Sequence, residues 1–432
     1  MRFQQALALA AIAGFAATAC KKDPANERPR ISILQPADGA SLTVPDTLLV
    51  KVEAHDDIGL ERVYATLLDA NGIPAVGGVS AAASGTSAVI TLALPVVSQQ
   101  LPGGLYTLRV TASDGSLTGW DTRSLHITAV PLRLRAVFSV VQPSAGAVAL
   151  YRTDSTGQTS LAATWDMDLG GAAISSAAQR LFIAGAATGP LLALDPDGLL
   201  PAWQVPNQSS AGLPWFTGMD LCADGRLYAC MADGTVHGYT AATGTGGTVA
   251  ALQEQFRAER CITNGDQLIC TSRHFLTGER RLYIFHRTTG AQLAVQALSI
   301  DPAGLFTRDG GHVLLFGNSN GQGRVLDRTL DGGGDWETFT WGAAITAVVR
   351  VAPNAWLVAL ANGALQRYSY GGGALPLAST PVLHTLAYDE VDGRAYGGAD
   401  GQVIALDPAT GATTGTAAVN GTTVRILPLY NR

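Results

Sequence analysis

The chain has 432 residues, of which 28 are Lys or Arg and 34 are Asp or Glu, so its formal net charge at pH 7 is −6. Only 14% of the residues are charged, and no basic cluster interrupts this acidic background. Because nucleic acid is bound by clustered Lys and Arg, the composition argues against a nucleic-acid partner. Fifty glycines, with many Val, Ile, Leu and Thr runs and no long helical period, predict an all-β chain of two or three domains.

Residues 1–20 have the pattern of a secretory signal peptide. A positive start at Arg2 is followed by an apolar stretch over residues 6–17 and by small residues before Cys20. The stretch is shorter than the roughly 20 apolar residues that a membrane-spanning helix needs. The small-small-small-Cys ending resembles the lipobox of bacterial lipoproteins, which implies cleavage before Cys20 and its acylation. An ordinary signal peptide with a chance cysteine is the alternative.

Residues 21–29 form a tether rich in proline and charge, which begins Lys21-Lys22-Asp23. Lys21 does not match the aspartate of inner-membrane retention signals, and Lys-Lys-Asp resembles the export signal of surface lipoproteins in Bacteroidota. One acyl chain gives only marginal membrane binding, whereas the several chains of a lipoprotein anchor it stably. The resemblance implies a lipid-anchored protein of the outer membrane, either exposed on the surface or facing the periplasm.

Residues 30–130 alternate apolar and polar side chains with the two-residue period of β-strands. Clear examples are the segments 48–54, 63–67 and 104–114, which are separated by turn signals such as Asn71-Gly72. About seven short strands in about 100 residues predict a two-sheet sandwich. Tyr106, near the start of one alternating strand, predicts a tyrosine corner, in which the hydroxyl bonds back to the preceding turn.

The segments 36–39, 54–60 and 104–114 together resemble the bacterial Ig-like domains of surface proteins. Such domains are usually spacers or adhesive modules, so the resemblance implies a fold rather than one function. Asp56, Asp57 and Asp114 suit either of two roles. They would hold calcium, as at the junctions of cadherin-like repeats, or close turns, which is the more common role of such aspartates.

A repeat of about 40–45 residues organises residues 131–432. Each copy has a strand with an aromatic or aliphatic centre, a turn, a second strand and a Thr-Gly or Asp-Gly turn. The centres are Phe138, Phe182, Tyr228, Ile269, Leu314, Leu357 and Tyr396. This period, with about four strands in each unit, is typical of propeller blades, and the sequence therefore predicts a seven-bladed β-propeller.

The two ends of the repeat region predict how the ring closes. Later units begin with an inner strand, but the first unit, starting at Ala136, has none before it. A spare strand, residues 422–427, follows the last full unit. We predict that this C-terminal strand completes the first blade beside Phe138, so that the propeller has no long open edge.

Two turns, in the segments 193–203 and 405–411, resemble the tryptophan-docking repeats of quinoprotein-type, WD40-like propellers. In that pattern an Asp and a Thr-Gly pair set a tight turn, and a tryptophan such as Trp203 packs between blades. Most other units lack the tryptophan, and quinone-dependent alcohol dehydrogenases have eight blades and a pair of adjacent cysteines that this chain lacks. The resemblance therefore implies a structural propeller without a quinone cofactor.

Four cysteines fall in two successive repeats. They are Cys222, Cys230, Cys261 and Cys270. Outside the cytoplasm an even number permits disulfides, and the similar positions would allow one or two bridges across the pair of repeats. Four buried free thiols are the alternative. No CxxC or CxxCH motif is present, which disfavours zinc and c-type haem.

The sequence shows no catalytic constellation. The seven histidines never occur in HxH or HxxxH spacing, and no GxSxG motif is present. Histidines from several blades can still converge, as they do in some propeller lyases and lactonases, and His384 lies on a predicted inner strand. We predict no catalytic residue, no metal and no cofactor.

Aromatic residues in predicted loops are the leading candidates for binding. Trp215 and Phe216 precede an inner strand, and Trp336 and Trp341 lie between blades. Exposed rings stack on sugars or anchor protein partners, whereas buried rings would only fill space between blades. The insertion 273–281 lengthens a hairpin loop at one rim of the ring.

These observations predict a non-catalytic lipoprotein of the cell envelope that binds an unknown protein or glycan through its propeller. An envelope assembly scaffold is one alternative. A quinoprotein-like enzyme, or an enzyme of the propeller lyase or lactonase type, is the other. The fold does not distinguish these functions, because one fold supports many of them.

Overall fold

The structure, a computed structural model, describes residues 26–431 except 71, 100, 211 and 333. The predicted signal peptide and Cys20 lie outside the described residues. The chain divides after Pro131 into two compact units. Every regular element among the described residues is a β-strand, which confirms the predicted all-β fold.

The first unit is a two-sheet sandwich. Its strands are β1 (Arg30–Gln35), β2 (Ala40–Thr43), β3 (Asp46–His55), β4 (Arg62–Leu68), β5 (Val79–Ala82), β6 (Ser87–Val96), β7 (Gly104–Ser113) and β8 (Thr118–Thr128). One sheet has the order β1-β3-β6 and the other the order β2-β8-β7-β4-β5. The pairing of β2 with β8 is parallel, and the other strand pairs in these two sheets are antiparallel.

The core of this unit follows from the two-residue period of its strands. In β3, buried Leu48, Val50, Val52 and Ala54 alternate with more exposed side chains, so one face of the sheet packs against the other sheet. The Tyr106 hydroxyl donates to the carbonyl oxygen of Pro102 at 2.9 Å, which confirms the predicted tyrosine corner.

The three aspartates considered for calcium accept hydrogen bonds from backbone amides. The Asp56 carboxylate accepts from the backbone amide of Gly59 at 2.7 Å, and Asp57 accepts from that of Glu27 at 3.2 Å. Asp114 accepts from the amides of Ser116 and Leu117 at 2.6 and 2.5 Å. Asp56 and Asp114 thus close turns, which is one of the two roles that the sequence left open.

The second unit contains the remaining strands, which run in chain order from β9 to β34. They are β9 (Leu134–Ser144), β10 (Ala147–Asp154), β11 (Thr159–Trp165), β12 (Leu169–Ser175), β13 (Arg180–Gly185), β14 (Leu191–Leu194), β15 (Pro201–Val205), β16 (Phe216–Leu221), β17 (Arg226–Met231), β18 (Thr235–Thr240), β19 (Gly246–Ala251), β20 (Phe256–Asn264), β21 (Gln267–His274), β22 (Arg280–His286), β23 (Gln292–Leu298), β24 (Asp301–Asp309), β25 (His312–Ser319), β26 (Gln322–Thr329), β27 (Asp335–Trp341), β28 (Ile345–Ala352), β29 (Ala355–Leu360), β30 (Ala364–Ser369), β31 (Gly373–Ser379), β32 (Thr385–Asp389), β33 (Arg394–Leu406) and β34 (Thr413–Tyr430).

These strands form a β-propeller of antiparallel sheets. Five sheets have four consecutive strands each: β12 to β15, β16 to β19, β20 to β23, β24 to β27 and β28 to β31. A six-stranded sheet has the order β11-β10-β9-β34-β33-β32. The first strands of consecutive sheets contact one another, and β34 contacts both β32 and β12, so the ring is closed.

The C-terminal strand closes the ring as the sequence predicts. Residues 422–430 of β34 pair antiparallel with β9, and Leu427 lies opposite Phe138. Residues 413–418 of β34 pair instead with β33, whose other end pairs with β32. If β33 and β34 are each counted as two strands, the six-stranded sheet contains eight strands. Eight strands make two four-stranded units, which together with the five other sheets would give seven blades. The number seven remains a prediction.

The repeat centres lie on the second strand of most sheets, where both faces are covered by neighbouring sheets. Side chains therefore do not alternate in burial: Leu181 to Gly185 in β13 and Ala355 to Leu360 in β29 are all buried. A short continuous apolar run is the pattern expected of such a strand. Phe182, Tyr228 and Trp356 are among the largest fully buried side chains.

Trp203 joins two neighbouring sheets. Its indole Nε1 donates to the Ala241 carbonyl oxygen at 3.1 Å. A Cβ atom at Gly244, whose φ is +70°, would lie 2.6 Å from the Trp203 ring. Asp195 closes the turn before this strand by accepting from the amides of Asp197 and Gly198, both at 3.0 Å. Trp203 thus packs between sheets, as the tryptophan-docking resemblance implies.

Candidate functional site

A cavity of about 420 Å³ lies between loops and strand ends of three neighbouring sheets of the propeller. Its lining residues are Leu169, Gly170, Ala186, Pro214, Phe216, Thr217, Arg257, Glu259, Arg273 and Phe275. The segment 213–216, which contains the candidates Trp215 and Phe216, and the insertion 273–281 meet at this cavity.

The segment before β16 is fixed by backbone hydrogen bonds. The amides of Trp215 and Phe216 donate to the Ala186 carbonyl oxygen at 2.7 and 3.2 Å. The Asn207 side-chain amide donates to the carbonyl oxygens of Gly185, Ala186 and Gly189. These contacts hold one wall of the cavity against the β13–β14 loop, so the wall is largely pre-formed.

The loop between β21 and β22 forms the opposite wall. The backbone amide of His274 donates to the Glu279 carbonyl oxygen at 2.7 Å, and that of Gly278 donates to the His274 carbonyl oxygen at 2.9 Å. The Phe275 amide donates to the Gln255 carbonyl oxygen at 3.1 Å, which ties the loop to the start of β20. Phe275 and Leu276 at the tip are 48% and 70% exposed.

Three arginines lie directly opposite one another across β20, β21 and β22. Arg257 pairs with Arg273, and Arg273 pairs with Arg280. Arg280 has two carboxylate partners, Glu259 at 2.6 Å and Asp301 at 2.7 Å. Within the described part of the chain, neither Arg257 nor Arg273 has an ion-pair partner. The cavity therefore has two unpaired guanidinium groups on its wall.

The Arg257 guanidinium lies over the Phe275 ring, 4.7 Å from its centroid. Its Nε is buried and has no hydrogen-bond partner among the described residues. His274 stacks beside the same ring at a centroid distance of 6.0 Å. The Phe275 ring on the wall of the cavity thus has a cation and an imidazole as neighbours.

The four aromatic candidates do not form one site. Phe216 lines the cavity but is only 1% exposed, and Trp215 beside it is half-buried. Trp341 is 4% exposed, packs against Phe339 and donates from Nε1 to the Gln366 side chain at 2.9 Å. Trp336, on the outer strand β27, is 66% exposed. Phe216 and Trp341 therefore fill the core, because a neighbouring sheet covers each ring.

The four cysteines are buried free thiols, which is the alternative to disulfides that the sequence left open. The Cys261 sulfur lies 3.0 Å from that of Cys270 and 3.6 Å from that of Cys230. Burial raises the pKa of the Cys270 thiol. These thiols lie in the hydrophobic core between two sheets, away from the solvent.

His384 contacts a carboxylate rather than other histidines. Its Nε2 lies 3.3 Å from the Asp400 carboxylate, to which the Thr422 hydroxyl also donates at 2.6 Å. The Thr422 hydrogen bond lowers the pKa of Asp400, and His384 adds to this effect. Residues 26–431, with their four gaps, contain no group of three or more His, Cys, Asp or Glu side chains placed to hold a metal ion.

The first strands also place charge inside the ring. Burial and the nearby Arg260 lower the pKa of Arg425 to about 10, and Asp220 opposes that shift. The Asp220 carboxylate accepts from the Cys261 amide at 2.9 Å.

Two further cavities lie in the propeller. One, of about 470 Å³, lies near strands β9, β10 and β11, and the other, of about 220 Å³, lies inside the ring. No described helix is long and apolar enough to cross a membrane.

The unpaired arginines at the cavity were not anticipated from the sequence. Arg257 and Arg273 lie 16 positions apart in the chain and become neighbours only through the strand register. The lengthened hairpin loop and the aromatic pair Trp215 and Phe216 were the local signals for this site. The register itself depends on pairing that local sequence does not specify.

Comparisons with known proteins match a family model to part of the first unit. Residues 29–110 match the bacterial Ig domain family Big_7. No curated protein matches the chain. The bacterial Ig-like fold predicted for the first unit is therefore confirmed, over less than half of the chain.

Solved structures similar to this chain include other propellers. A quinonprotein alcohol dehydrogenase-like protein from Bacteroides thetaiotaomicron is 13% identical, with 93% of this chain and 99% of that chain covered and a TM-score of 0.49. The WD40 propeller domain of Doa1 is 13% identical, with 61% and 85% covered and a TM-score of 0.46. Hydrazine synthase of Kuenenia stuttgartiensis is 9% identical, with 68% and 98% covered and a TM-score of 0.48.

Proposed function

We propose that the protein is a non-catalytic lipoprotein of the cell envelope, held by lipid on Cys20 at the outer membrane, and that its propeller binds a protein or glycan partner. The cavity of about 420 Å³ carries the proposal, because both segments selected from the sequence converge on it. A cavity of this size lies within the usual range of pockets that bind small ligands.

The side chains around the cavity have the composition of a recognition surface. Leu213, next to the lining residue Pro214, is 57% exposed, and Leu276, next to the lining residue Phe275, is 70% exposed. Aromatic residues and arginine are enriched in the buried centres of protein interfaces, where a few such residues supply most of the binding energy. Backbone hydrogen bonds already hold both walls, so little ordering would oppose binding.

Site-specific photo-crosslinking tests the position of the partner. A benzophenone amino acid replaces Leu276 in the full-length lipoprotein, and a matched variant carries it at Leu375, which is 61% exposed on β31. Irradiation of intact cells should give a discrete adduct from position 276 and none from position 375. Adducts from 375 alone, or from neither position, would contradict binding at this cavity.

The lipid anchor is tested separately by metabolic labelling with an alkyne fatty acid. Wild-type protein should incorporate the label and stay with the membrane fraction, whereas Cys20→Ser should incorporate none, since the acylated thiol is absent. A second arm treats intact cells with protease. Digestion indicates the outer surface and protection indicates the periplasm, and label in Cys20→Ser would disprove the anchor.

A further inference from the structure

The row of arginines at the cavity is electrostatically unfavourable by itself. Directly opposite residues on antiparallel strands have Cβ atoms about 4.5–5.5 Å apart and point to the same face, and like charges in this arrangement destabilise a sheet. Arg257, Arg273 and Arg280 occupy such a row. Glu259 and Asp301 both pair with Arg280, which leaves Arg257 and Arg273 without an ion-pair partner among the described residues. Three guanidinium groups and two carboxylates together carry a net charge of +1.

Several other arginines at junctions of the propeller sheets have carboxylate partners. Arg287 contacts Asp224 at 3.0 Å, and Arg135 contacts Asp197 at 2.8 Å. Arg308 lies 3.4 Å from the buried Asp327. These pairs show how the fold uses arginine to join its sheets. Arg257 and Arg273 line the cavity and have no ion-pair partner among the described residues, because Glu259, the carboxylate that also lines it, pairs with Arg280.

We propose that Arg257 and Arg273 bind carboxylates of an acidic segment of a protein partner, and that an adjacent apolar side chain of this segment enters the cavity. The inference rests on the proposed function and specifies the chemistry of the partner. Arginine suits this role because its planar fork of donors matches a carboxylate, and acidic motifs are commonly recognised by paired arginines.

The apolar residues favour a protein segment over a glycan. Leu213 and Leu276 are exposed and each follows or precedes a residue that lines the cavity, and aliphatic side chains match apolar side chains rather than sugar hydroxyls. Phe275 is the exposed ring at the cavity, but Arg257 lies over it and His274 stacks beside it. The ring is therefore poorly available for stacking on a sugar.

The first test removes the two charges and keeps the shape of the side chains. Full-length lipoprotein in detergent is incubated with an array of random decapeptides. Bound peptides should be enriched in Asp or Glu next to Leu or Phe, and Arg257→Gln with Arg273→Gln should weaken their binding at least about tenfold. The control, Arg367→Gln with Arg394→Gln, removes two charges from β30 and β33 and should bind as wild type. Enrichment without acidic residues, or equal binding by both double variants, would overturn the inference.

The second test separates a binding role from a structural one. At an ionic strength of about 0.01 M, where the Debye length is about 30 Å, repulsion within the row is little screened. If the two arginines serve binding, Arg257→Gln with Arg273→Gln should unfold at the same or a higher temperature than wild type. A clear decrease in Tm, with no decrease in the control, would show that the arginines stabilise the fold and would overturn the inference.

The third test combines the charge change with the crosslinker at position 276. Loss of the adduct in the Arg257→Gln, Arg273→Gln variant, but not in the control, supports the inference. An adduct that persists in this variant contradicts the inference and leaves the proposed function standing. A wild-type protein without an adduct contradicts the proposed function itself. An acidic glycan in the adduct, in place of a peptide, would also overturn the inference.

Discussion

At the residue scale, the contact between Trp203 and Gly244 shows how one position can fix the packing of two sheets. The indole ring occupies the space where a Cβ atom of residue 244 would lie. The positive φ of Gly244 also disfavours any residue with a side chain. Sequence and geometry therefore agree that this turn requires glycine.

Gly244→Ala should lower the free energy of unfolding by about 1–3 kcal/mol, because the added methyl group must displace the ring and the backbone is strained. Gly247→Ala is the control, since nothing lies within 4 Å of its Cβ position. Urea unfolding of the two variants measures the difference. Equal stability of the two would show that the Trp203 contact is not tight.

Asp114 makes the first unit sensitive to acid. Hydrogen bonds from the Leu117 amide, and then from Asn26 and Ser116, lower the pKa of its carboxyl from 3.8 to about 2. A lowered pKa means that the folded state favours the ionised form, so this contribution to stability is present above about pH 4 and is lost as the pH falls towards 2.

Asp114→Asn should therefore flatten the decrease in stability of the first unit between pH 4 and pH 2. Urea unfolding at pH 5 and at pH 2.5 measures the change, and a carbon-detected NMR titration gives the pKa directly. A titration midpoint near 4 would contradict the described hydrogen bonds.

The cysteines should be unreactive in the folded protein. Burial raises the pKa of Cys270, and all four thiols are buried, so little thiolate is accessible to solvent. Iodoacetamide at pH 8 should modify none of the four before unfolding and all of them in denaturant. Mass spectrometry counts the adducts, and rapid modification of native protein would refute the buried arrangement.

At the scale of elements, the strand that closes the ring has the largest predicted effect. Residues 422–430 supply the partner of β9, and Leu429 and Ile426 are buried at this junction. Without them β9 would become an open edge, and its apolar side chains would be exposed to water.

A chain that ends at Asn420 should therefore lose the cooperative unfolding transition of the second unit. Removal of Arg432 alone serves as the control and should leave that transition in place. Differential scanning calorimetry records both variants. A second unit that still unfolds cooperatively without residues 421–432 would contradict closure by the C-terminal strand.

The sequence predicted these elements well for a physical reason. Strand period, turn chemistry and repeat length can be read from local sequence. These properties predicted the Ig-like sandwich, the propeller and its closing strand. Burial between sheets is not local. The sequence left open whether Phe216 and Trp341 bind a partner or fill space between blades. Both pack in the core, because they are covered by sheets that are distant in the chain. The row formed by Arg257 and Arg273 depends on register in the same way.

At the scale of the whole molecule, the ring brings loops from separate sheets to one cavity. Leu213 lies before β16 and Leu276 lies beyond β21, and the cavity is lined by residues next to both. A partner that contacts both walls must therefore bind a surface that more than one sheet forms. This arrangement predicts that partner binding depends on both leucines but not on equally exposed leucines elsewhere.

Quantitative co-purification from detergent-solubilised envelopes tests the central claim most directly. The Leu213→Ser, Leu276→Ser variant is compared with wild type and with Leu293→Ser, Leu375→Ser, which removes two exposed leucines from β23 and β31. The partner recovered by crosslinking at position 276 should be reduced at least about tenfold in the first variant only. Equal recovery with both variants, or loss in the β23 and β31 variant alone, would contradict binding at this cavity.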